Sequence, residues 1–366
     1  MDKFSPRHFL FLILGVSIVS LKTYPSTYVK NGARDSWIAI IISSIIIFFY
    51  FLYVIGVWRK NNSYNIREIY QTALGKYLGN VFFILFLLTL FLTLIECASV
   101  ESDSMHENML LETPNWFLIL FFTIPLLYTI NKDIVAIVTV TIIGIVLISL
   151  AGINLGMLTS KYKHISYLFP VLEHGINGGF IICILKTLGL YGTVSIALPY
   201  ISKITDSKNK IIKYVIIALL ILIQMQIISV SGIIMTFGPT RVMSMNYTKL
   251  LQTQLISYFQ FLEFGELYVI FQIIDGWLLK YIITFYALLS ILKLYNLKEK
   301  HTKYASYILT IFIITGAYFT TKNSLILFKL LNYYEYICLI NFVLIPFITF
   351  FLFNWRIKKN QLISKY

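Results

Sequence analysis

A lysine near the middle of an apolar stretch is the first residue whose placement indicates chemistry. Residues 176–200 are long enough to cross a bilayer, yet Lys186 lies about eleven residues into them, ~16 Å along a helix. A charge at that depth is costly unless it is paired. Lys186 is therefore a cation that replaces a coupling ion or pairs across the bundle, or one half of a purely structural pair. Its depth favours a functional role, because a side chain reaches the interface only with difficulty from mid-membrane.

Residues that loosen a helix follow Lys186, and a similar weak point lies in the first apolar stretch. A helix can leave its regular hydrogen bonding at membrane depth only where the freed groups face protein, a cavity or a ligand. A discontinuous helix of this kind attracts a carboxylate at its bare N–H groups and an ammonium group at its free carbonyls. Close helix packing is the better explanation for any single small residue, but the two clusters together favour a binding site. The candidates are Gly15, Ser17, Ser20, Thr187, Gly189 and Gly192.

Two acidic residues inside apolar stretches complete the candidate site. Glu96 is either a partner of Lys186 or a side chain that reaches the outer surface. Asp275 lies five residues before Lys280, so on a helix the two point roughly 140° apart and must find partners on other helices. Asp275 is a second candidate partner for Lys186, and a structural role for it stays open.

The composition indicates the class of protein that positions these side chains. Of 366 residues, 58% are hydrophobic and 13% charged, and the mean hydropathy is +0.80. A soluble domain has about 45–50% apolar and about 25% charged residues, so this chain is a polytopic membrane protein. The net charge of +14 comes from short loops between apolar stretches and indicates orientation rather than nucleic-acid binding. The three cysteines, Cys97, Cys183 and Cys338, lie inside predicted spans and are expected to be buried and unpaired.

Ten membrane spans are predicted, because a spanning helix needs ~20 apolar residues. Nineteen of the thirty lysines and arginines fall on one side and nine on the other, so both termini are predicted to be cytoplasmic. Five spans in each half would give an inverted repeat, with residues 5–155 and 176–355 forming one membrane domain and with spans 1 and 6 broken. The predicted spans are 5–24, 36–57, 80–100, 114–131, 133–155, 176–200, 211–237, 267–292, 305–321 and 333–355.

Several short segments at span ends together resemble a known family. They are Ser5-Pro-Arg-His-Phe9, Tyr24-Pro25, Asn31-Gly-Ala-Arg-Asp-Ser-Trp37, Pro170-Val-Leu-Glu-His-Gly-Ile176 and Leu198-Pro-Tyr-Ile201. The chain resembles, over nearly its whole length, the spore germination protein family, the permease-like B subunits of nutrient germinant receptors. That family is similar to the amino acid–polyamine–organocation transporters, which have the five-plus-five inverted repeat.

The resemblance implies a function as well as a fold. It implies a receptor subunit in the spore inner membrane that works with an A subunit and a lipoprotein C subunit and binds a small nutrient, with an amino acid favoured. A proton- or sodium-coupled secondary amino acid transporter is the alternative, and a scaffold that binds nothing is a third. Neither a cofactor nor a metal site is predicted, since no metal-ligand spacing occurs, and without a nucleophile–base pair or phosphate loop an enzyme is not expected.

Overall fold

The computed structural model of the chain describes residues 4–61, 65–173, 175–204, 208–258, 262–263, 268, 270–294 and 299–363. The first half, within those ranges, contains eight α-helices and a 3₁₀ turn at Ala33–Asp35. The helices are α1 (Pro6–Ser17), α2 (Ser20–Thr23), α3 (Ser26–Gly32), α4 (Ser36–Lys60), α5 (Ile66–Leu74), α6 (Lys76–Asn108), α7 (Asn115–Ile130) and α8 (Ile134–Leu158).

The second half is also almost entirely helical where it is described. Its α-helices are α9 (Gly178–Tyr191), α10 (Ile211–Phe237), α11 (Pro239–Ser244), α12 (Thr248–Gln254), α13 (Asp275–Lys293), α14 (Glu299–Thr320), α15 (Ser324–Cys338) and α16 (Ile345–Ile363). Short 3₁₀ segments lie at Ser160–Tyr162, Ile165–Leu168 and Lys208–Lys210, and a longer one at Gly192–Lys203. Two π-helical segments, Ile270–Ile274 and Leu339–Leu344, run into α13 and join α15 to α16. β1 (Ser257–Tyr258) and β2 (Leu262–Glu263) form one antiparallel pair.

Every predicted span coincides with helical structure, although the start of the eighth, at residue 267, lies outside the described residues. Eight helical segments of the described chain are long and apolar enough to cross a membrane. The fourth predicted span corresponds to α7, an apolar helix that is shorter than those eight. The ninth predicted span corresponds to α14, which is not among the eight. The all-helical membrane architecture is confirmed, whereas the count of ten crossings and the internal repeat remain predictions.

Polar residues at the predicted loop ends set where several of these helices begin. The Asn177 side chain accepts a hydrogen bond from the Phe180 amide at the start of α9, and the Asp133 side chain accepts one from the Ala136 amide at the start of α8. Each satisfies one of the four amides that a helix N-terminus leaves unpaired. At α1, proline occupies the first turn, where its missing N–H costs nothing.

The candidate site lies in an inner group of helices that the others surround. In the apolar window of Pro6–Thr23, 83% of the residues are buried, and the shares for Gly178–Lys203 and Phe271–Lys293 are 78% and 72%. Only 33% of the most apolar 18-residue stretch is buried in Lys208–Phe237 and 39% in Ile134–Leu158, whose outward faces carry large apolar side chains. The first, sixth and eighth predicted spans are therefore enclosed by protein, and the fifth and seventh are left for lipid.

Both broken helices are present, but they differ in kind. The first predicted span is interrupted at Ile18 and Val19, between α1 and α2, and again at Tyr24 and Pro25 before α3. The sixth changes at Gly192 from an α-helix into the 3₁₀ segment that ends at Lys203. The chain therefore continues in a narrower helix in the second case. α1 packs against this 3₁₀ segment and against α8, α10 and α13.

Candidate functional site

The two helix breaks are joined directly by side chains. Thr193 Oγ1 donates to the carbonyl of Leu190 and lies 3.0 Å from Ser17 Oγ, so the Ser17 hydroxyl is the donor of the bond between them. Ser17 is the last residue of α1, and Thr193 is the second residue of the 3₁₀ segment. Weak points recognised separately in the two halves are thus neighbours in space.

The carbonyls freed at the first break have a partner that sequence reasoning missed. Gln226 of α10 donates from Nε2 to the carbonyl oxygens of Ser17 (2.9 Å) and Ile18 (3.0 Å). It is 1% exposed, and its own Oε1 has no hydrogen-bond partner within the described chain. A glutamine in the middle of the seventh predicted span was the available signal, since polar groups inside a membrane usually face a partner.

A buried ion pair lies beside this break. Lys280 Nζ of α13 is 2.5 Å from Glu96 Oε2 of α6, and both side chains are almost fully buried. Ser20 accepts a hydrogen bond from Lys280 (2.6 Å) and donates one to Glu96 Oε1 (3.2 Å), which also accepts one from the Tyr24 hydroxyl (2.6 Å). The lysine also lies 5.2 Å from the ring centre of Trp277, within the range of a cation–π contact. The interpretation of Glu96 as a side chain that reaches the outer surface is therefore wrong.

A second ion pair contains Lys186, with a partner that the sequence analysis did not consider. Lys186 Nζ of α9 lies 3.6 Å from Glu335 Oε2 of α15, and Glu335 is fully buried. Lys186 also donates to the carbonyl of Thr27 (2.8 Å) and to Asn332 Oδ1 (2.6 Å). The two partners suggested for Lys186 were Glu96 and Asp275, and both suggestions are wrong. Glu96 is paired with Lys280, and the acidic partner of Lys186 is Glu335. Glu335 is only the third residue of the tenth predicted span, 333–355, so the depth that selected Lys186 did not select it; α15 in fact begins at Ser324, which places Glu335 well inside the helix.

One short segment of chain contacts both ion pairs. Residues 20–32, which comprise α2, α3 and the turn between them, supply Ser20 and Tyr24 to the first pair. The same segment supplies Thr27 to the second: its carbonyl accepts from Lys186, and its hydroxyl donates to Glu335 Oε1. We call residues 20–32 the linking segment. The four charged residues come from α6, α9, α13 and α15, so the linking segment contacts side chains of four helices.

The candidate glycines allow close packing. A Cβ on Gly189 would overlap the backbone carbonyl of Glu335, and one on Gly192 would lie 2.6 Å from Val343 Cγ2. A Cβ on Gly15 would lie 2.5 Å from Ile283 Cδ1. These distances are too short for real contacts, so each glycine lets another helix approach closely. At these three glycines the structure therefore shows close helix packing, which was the alternative explanation for small residues at the breaks.

Thr187 and Asp275 stand apart from the ion pairs. Thr187 Oγ1 lies 2.7 Å from Ser43 Oγ of α4 and donates to carbonyls of its own helix, a packing contact between α4 and α9. Asp275 is half-buried at the start of α13, and its Oδ2 has no hydrogen-bond partner among the described residues.

No group of three or more His, Cys, Asp and Glu side chains in the described ranges is arranged to hold a metal ion. All three cysteines are buried and free, as predicted.

Comparisons with known proteins identify a family from the sequence and a fold from the structure. A family model described as spore germination protein matches residues 3–325. Spore germination protein XB of Bacillus anthracis is 21% identical over 294 residues, which cover 80% of this chain and 81% of that protein. Among solved structures, MhsT in complex with L-phenylalanine superposes with a TM-score of 0.65 at 13% identity, over 95% of this chain and 88% of MhsT. At that identity the superposition establishes a common fold.

Proposed function

This chain belongs to the spore germination protein family, and we propose that it is the membrane-embedded B subunit of a nutrient germinant receptor that binds a small nutrient, an amino acid by preference, at the helix breaks. Family and fold are those of permeases, and the chain is an integral membrane protein. The spore inner membrane, cytoplasmic termini, and association with an A subunit and a lipoprotein C subunit belong to the proposal. So does the absence of enzymatic activity.

The observation that carries the proposal is the linking segment and its attachment to both ion pairs. A ligand changes the balance of two conformations only by binding one of them better than the other. The linking segment begins at the first break and contacts four charged side chains on four helices. A nutrient bound at the break would displace this segment, and its displacement would alter both ion pairs together. A binding event at the break would thereby reach four helices, α6, α9, α13 and α15.

The chemistry of the break suits an amino acid. The carbonyl oxygens of Ser17 and Ile18 point to an N–H donor, which is now the amide of Gln226. An amino acid's ammonium group is a stronger donor for the same two oxygens, because bonds with a charged donor are about twice as strong as neutral ones. We infer that nutrient binding replaces this glutamine contact. MhsT, which shares the fold, is itself seen with L-phenylalanine, and that neighbour supports the choice of ligand class.

The test is a change that weakens the linking segment without removing a charge. Thr27→Val keeps the side-chain shape and removes the hydroxyl that donates to Glu335 and to the Tyr24 carbonyl. Spores carrying this variant should require several-fold less nutrient for half-maximal germination at normal protein level, because the bond that is lost holds the linking segment in the resting arrangement. Thr123→Val is the matched control, because the Thr123 hydroxyl is equally buried and donates only within its own helix.

A coupled amino acid transporter remains the alternative, favoured by the fold shared with MhsT. Proteoliposomes that contain only this chain distinguish the two functions. Robust uptake of labelled amino acids without partner subunits, together with an unchanged germination response in Thr27→Val, would refute the receptor proposal. Absence of uptake, with a shifted germination response in Thr27→Val and none in Thr123→Val, is the expected result.

A further inference from the structure

A cavity of about 490 Å³ lies apart from the ion pairs, between α8 and α10. Its walls come from these two helices, from the end of the first break at Ile18 and Lys22, from α12, and from Gln272 before α13. None of the four charged residues of the ion pairs lines it. It adjoins the break proposed for the nutrient, because Ile18 and Gln226 line it, and it extends from there between α8 and α10.

Among the described residues, three lysines and no acidic residue line this cavity. Lys22 and Lys249 are 4% and 8% exposed, and Lys163 is partly buried. Lys249 donates to Gln252 Oε1 (2.9 Å) and Lys163 to the Gly156 carbonyl (3.0 Å), both neutral acceptors. The ammonium group of Lys22 makes no hydrogen bond or ion pair within the described chain. Cations this deeply buried normally have a carboxylate partner, so the described residues leave the positive charge here unbalanced.

The lysines also influence one another. Burial, with the nearby charges of Lys22 and Lys163, lowers the pKa of Lys249 to about 7. Burial likewise lowers the pKa of Lys163. A bound anion would reverse the repulsion between them, because an opposite charge within ~4–6 Å favours the protonated form of a lysine. The cluster has the charge, the depth and the space of an anion site.

The rim of the cavity indicates what kind of anion fits. Ile153 and Met157 of α8 and Ile228 of α10 line it and are 59%, 68% and 55% exposed. They belong to the two least buried of the apolar helical windows, the ones left for lipid. The cavity is thus apolar where it meets the bilayer and cationic at its inner end. A soluble anion would gain nothing from the apolar side, whereas an amphiphile matches both.

We propose that this cavity binds an anionic amphiphile from the bilayer, with its carboxylate or phosphate held by Lys22 and Lys249 and its acyl chain lying between α8 and α10. Lys163 adds a third cation at the edge. Fatty-acid carboxylates and phospholipid phosphates share this chemistry. Gln226, which holds the carbonyls of the first break, lines the same cavity, so an occupant would adjoin the proposed nutrient site and share this residue with it.

The test measures lipid retention by the full-length chain, purified in a neutral detergent without nutrient. Native mass spectrometry would follow binding of phosphatidylglycerol, oleate and, as an uncharged comparison, phosphatidylcholine. Wild-type protein should retain the first two and not the third. Lys22→Gln with Lys249→Gln should lower retention roughly thirty-fold, since each lysine near an anionic headgroup contributes roughly five-fold. Lys30→Gln with Lys161→Gln, both exposed and outside the cavity, is the matched control.

A second variant tests the cavity without altering its charge. A Cβ on Gly232 would meet only Lys163, at 3.7 Å, so Gly232→Leu fills the space from α10. It should abolish retention while the lysines stay in place, which keeps the proposal testable if the double lysine variant does not fold. Equal retention of phosphatidylcholine, or wild-type retention in both cavity variants, overturns the proposal. Displacement of phosphatidylglycerol by millimolar inorganic phosphate or acetate would show a site for soluble anions and would overturn its assignment to an amphiphile.

Discussion

The pairing of charges can be tested by asking which acidic variant rescues which lysine variant. Lys186→Met leaves Glu335 buried without a cation, and Lys280→Met does the same to Glu96. Breaking a buried pair by removing one partner costs about 3–5 kcal/mol, a large part of a stability of about 5–15 kcal/mol. Each single variant should therefore raise the unfolding equilibrium constant by roughly two to four powers of ten, and its level in the membrane should fall.

Rescue should follow the observed partners. Glu335→Gln should restore the level of Lys186→Met, and Glu96→Gln that of Lys280→Met, because each removes the charge left unpaired. The crossed combinations should be no better than the single variants, since each leaves one buried carboxylate and one buried lysine without their partners. Lys280→Met should be the more severe, because its 2.5 Å contact is closer than the 3.6 Å contact of Lys186.

The assay is membrane abundance together with the melting temperature of the purified chain, for four single and four double variants. Lys210→Met, at an exposed lysine, controls for the substitution itself. If Glu96→Gln rescued Lys186→Met and Glu335→Gln did not, the pairing described above would be wrong. If rescued variants also responded normally to nutrient, the charges would serve folding alone and the mechanism through the linking segment would be refuted.

Three further predictions follow from individual positions. Both termini are predicted to be cytoplasmic, so the loop after the third predicted span faces outward, and an impermeant thiol reagent added outside should label Glu112→Cys, an exposed position in that loop; labelling only after permeabilisation would reverse the orientation. Gly189→Ala should reduce membrane abundance, because its Cβ would overlap the Glu335 carbonyl, whereas Gly56→Ala, with open space around it, should not; equal levels would refute the packing role. Retention of anionic lipid should fall as pH rises through about 7, since Lys249 then loses the proton that attracts the headgroup; retention independent of pH between about 6 and 8 would contradict that role.

The elements of this fold were readable because membrane helices carry a strong signal. In hydrocarbon every backbone group must be satisfied within the segment, so length and apolarity alone indicate a span. The two weak points were readable for the same reason, and the bond between Ser17 and Thr193 shows that they meet. The distinction between an open break in the first helix and a change to 3₁₀ geometry in the sixth was not readable. Both depend on which neighbours satisfy the freed groups, and those neighbours come from distant parts of the chain.

The partners of the charged residues could not be predicted from spacing. Lys186 and Glu335 are 149 positions apart in sequence, and Lys280 and Glu96 are 184 apart. Depth in the membrane identified three of these four as costly, but which side chains meet is decided by how the helices pack. For the glycines the ambiguity was of another kind. A small residue at a break permits either a ligand or a helix to approach, and only the position of α15 against Gly189 shows that a helix does so here.

Glu335 alone would neutralise Lys186, so the second ion pair, Lys280–Glu96, needs a further explanation. The linking segment supplies one. Its polar residues belong to three successive turns: Ser20 and Tyr24 contact Glu96, and Thr27 contacts Lys186 and Glu335. A segment tied to a single pair could rotate about that contact and leave the rest of the bundle unchanged. With two attachment points about one helical turn apart, displacement at the break must either move both pairs or break hydrogen bonds to a buried charge. Such bonds contribute about 1.5–3 kcal/mol each, enough to separate two arrangements by a factor of ten or more. The same attachments that keep the resting arrangement rigid are therefore the ones through which a ligand at the break can be sensed.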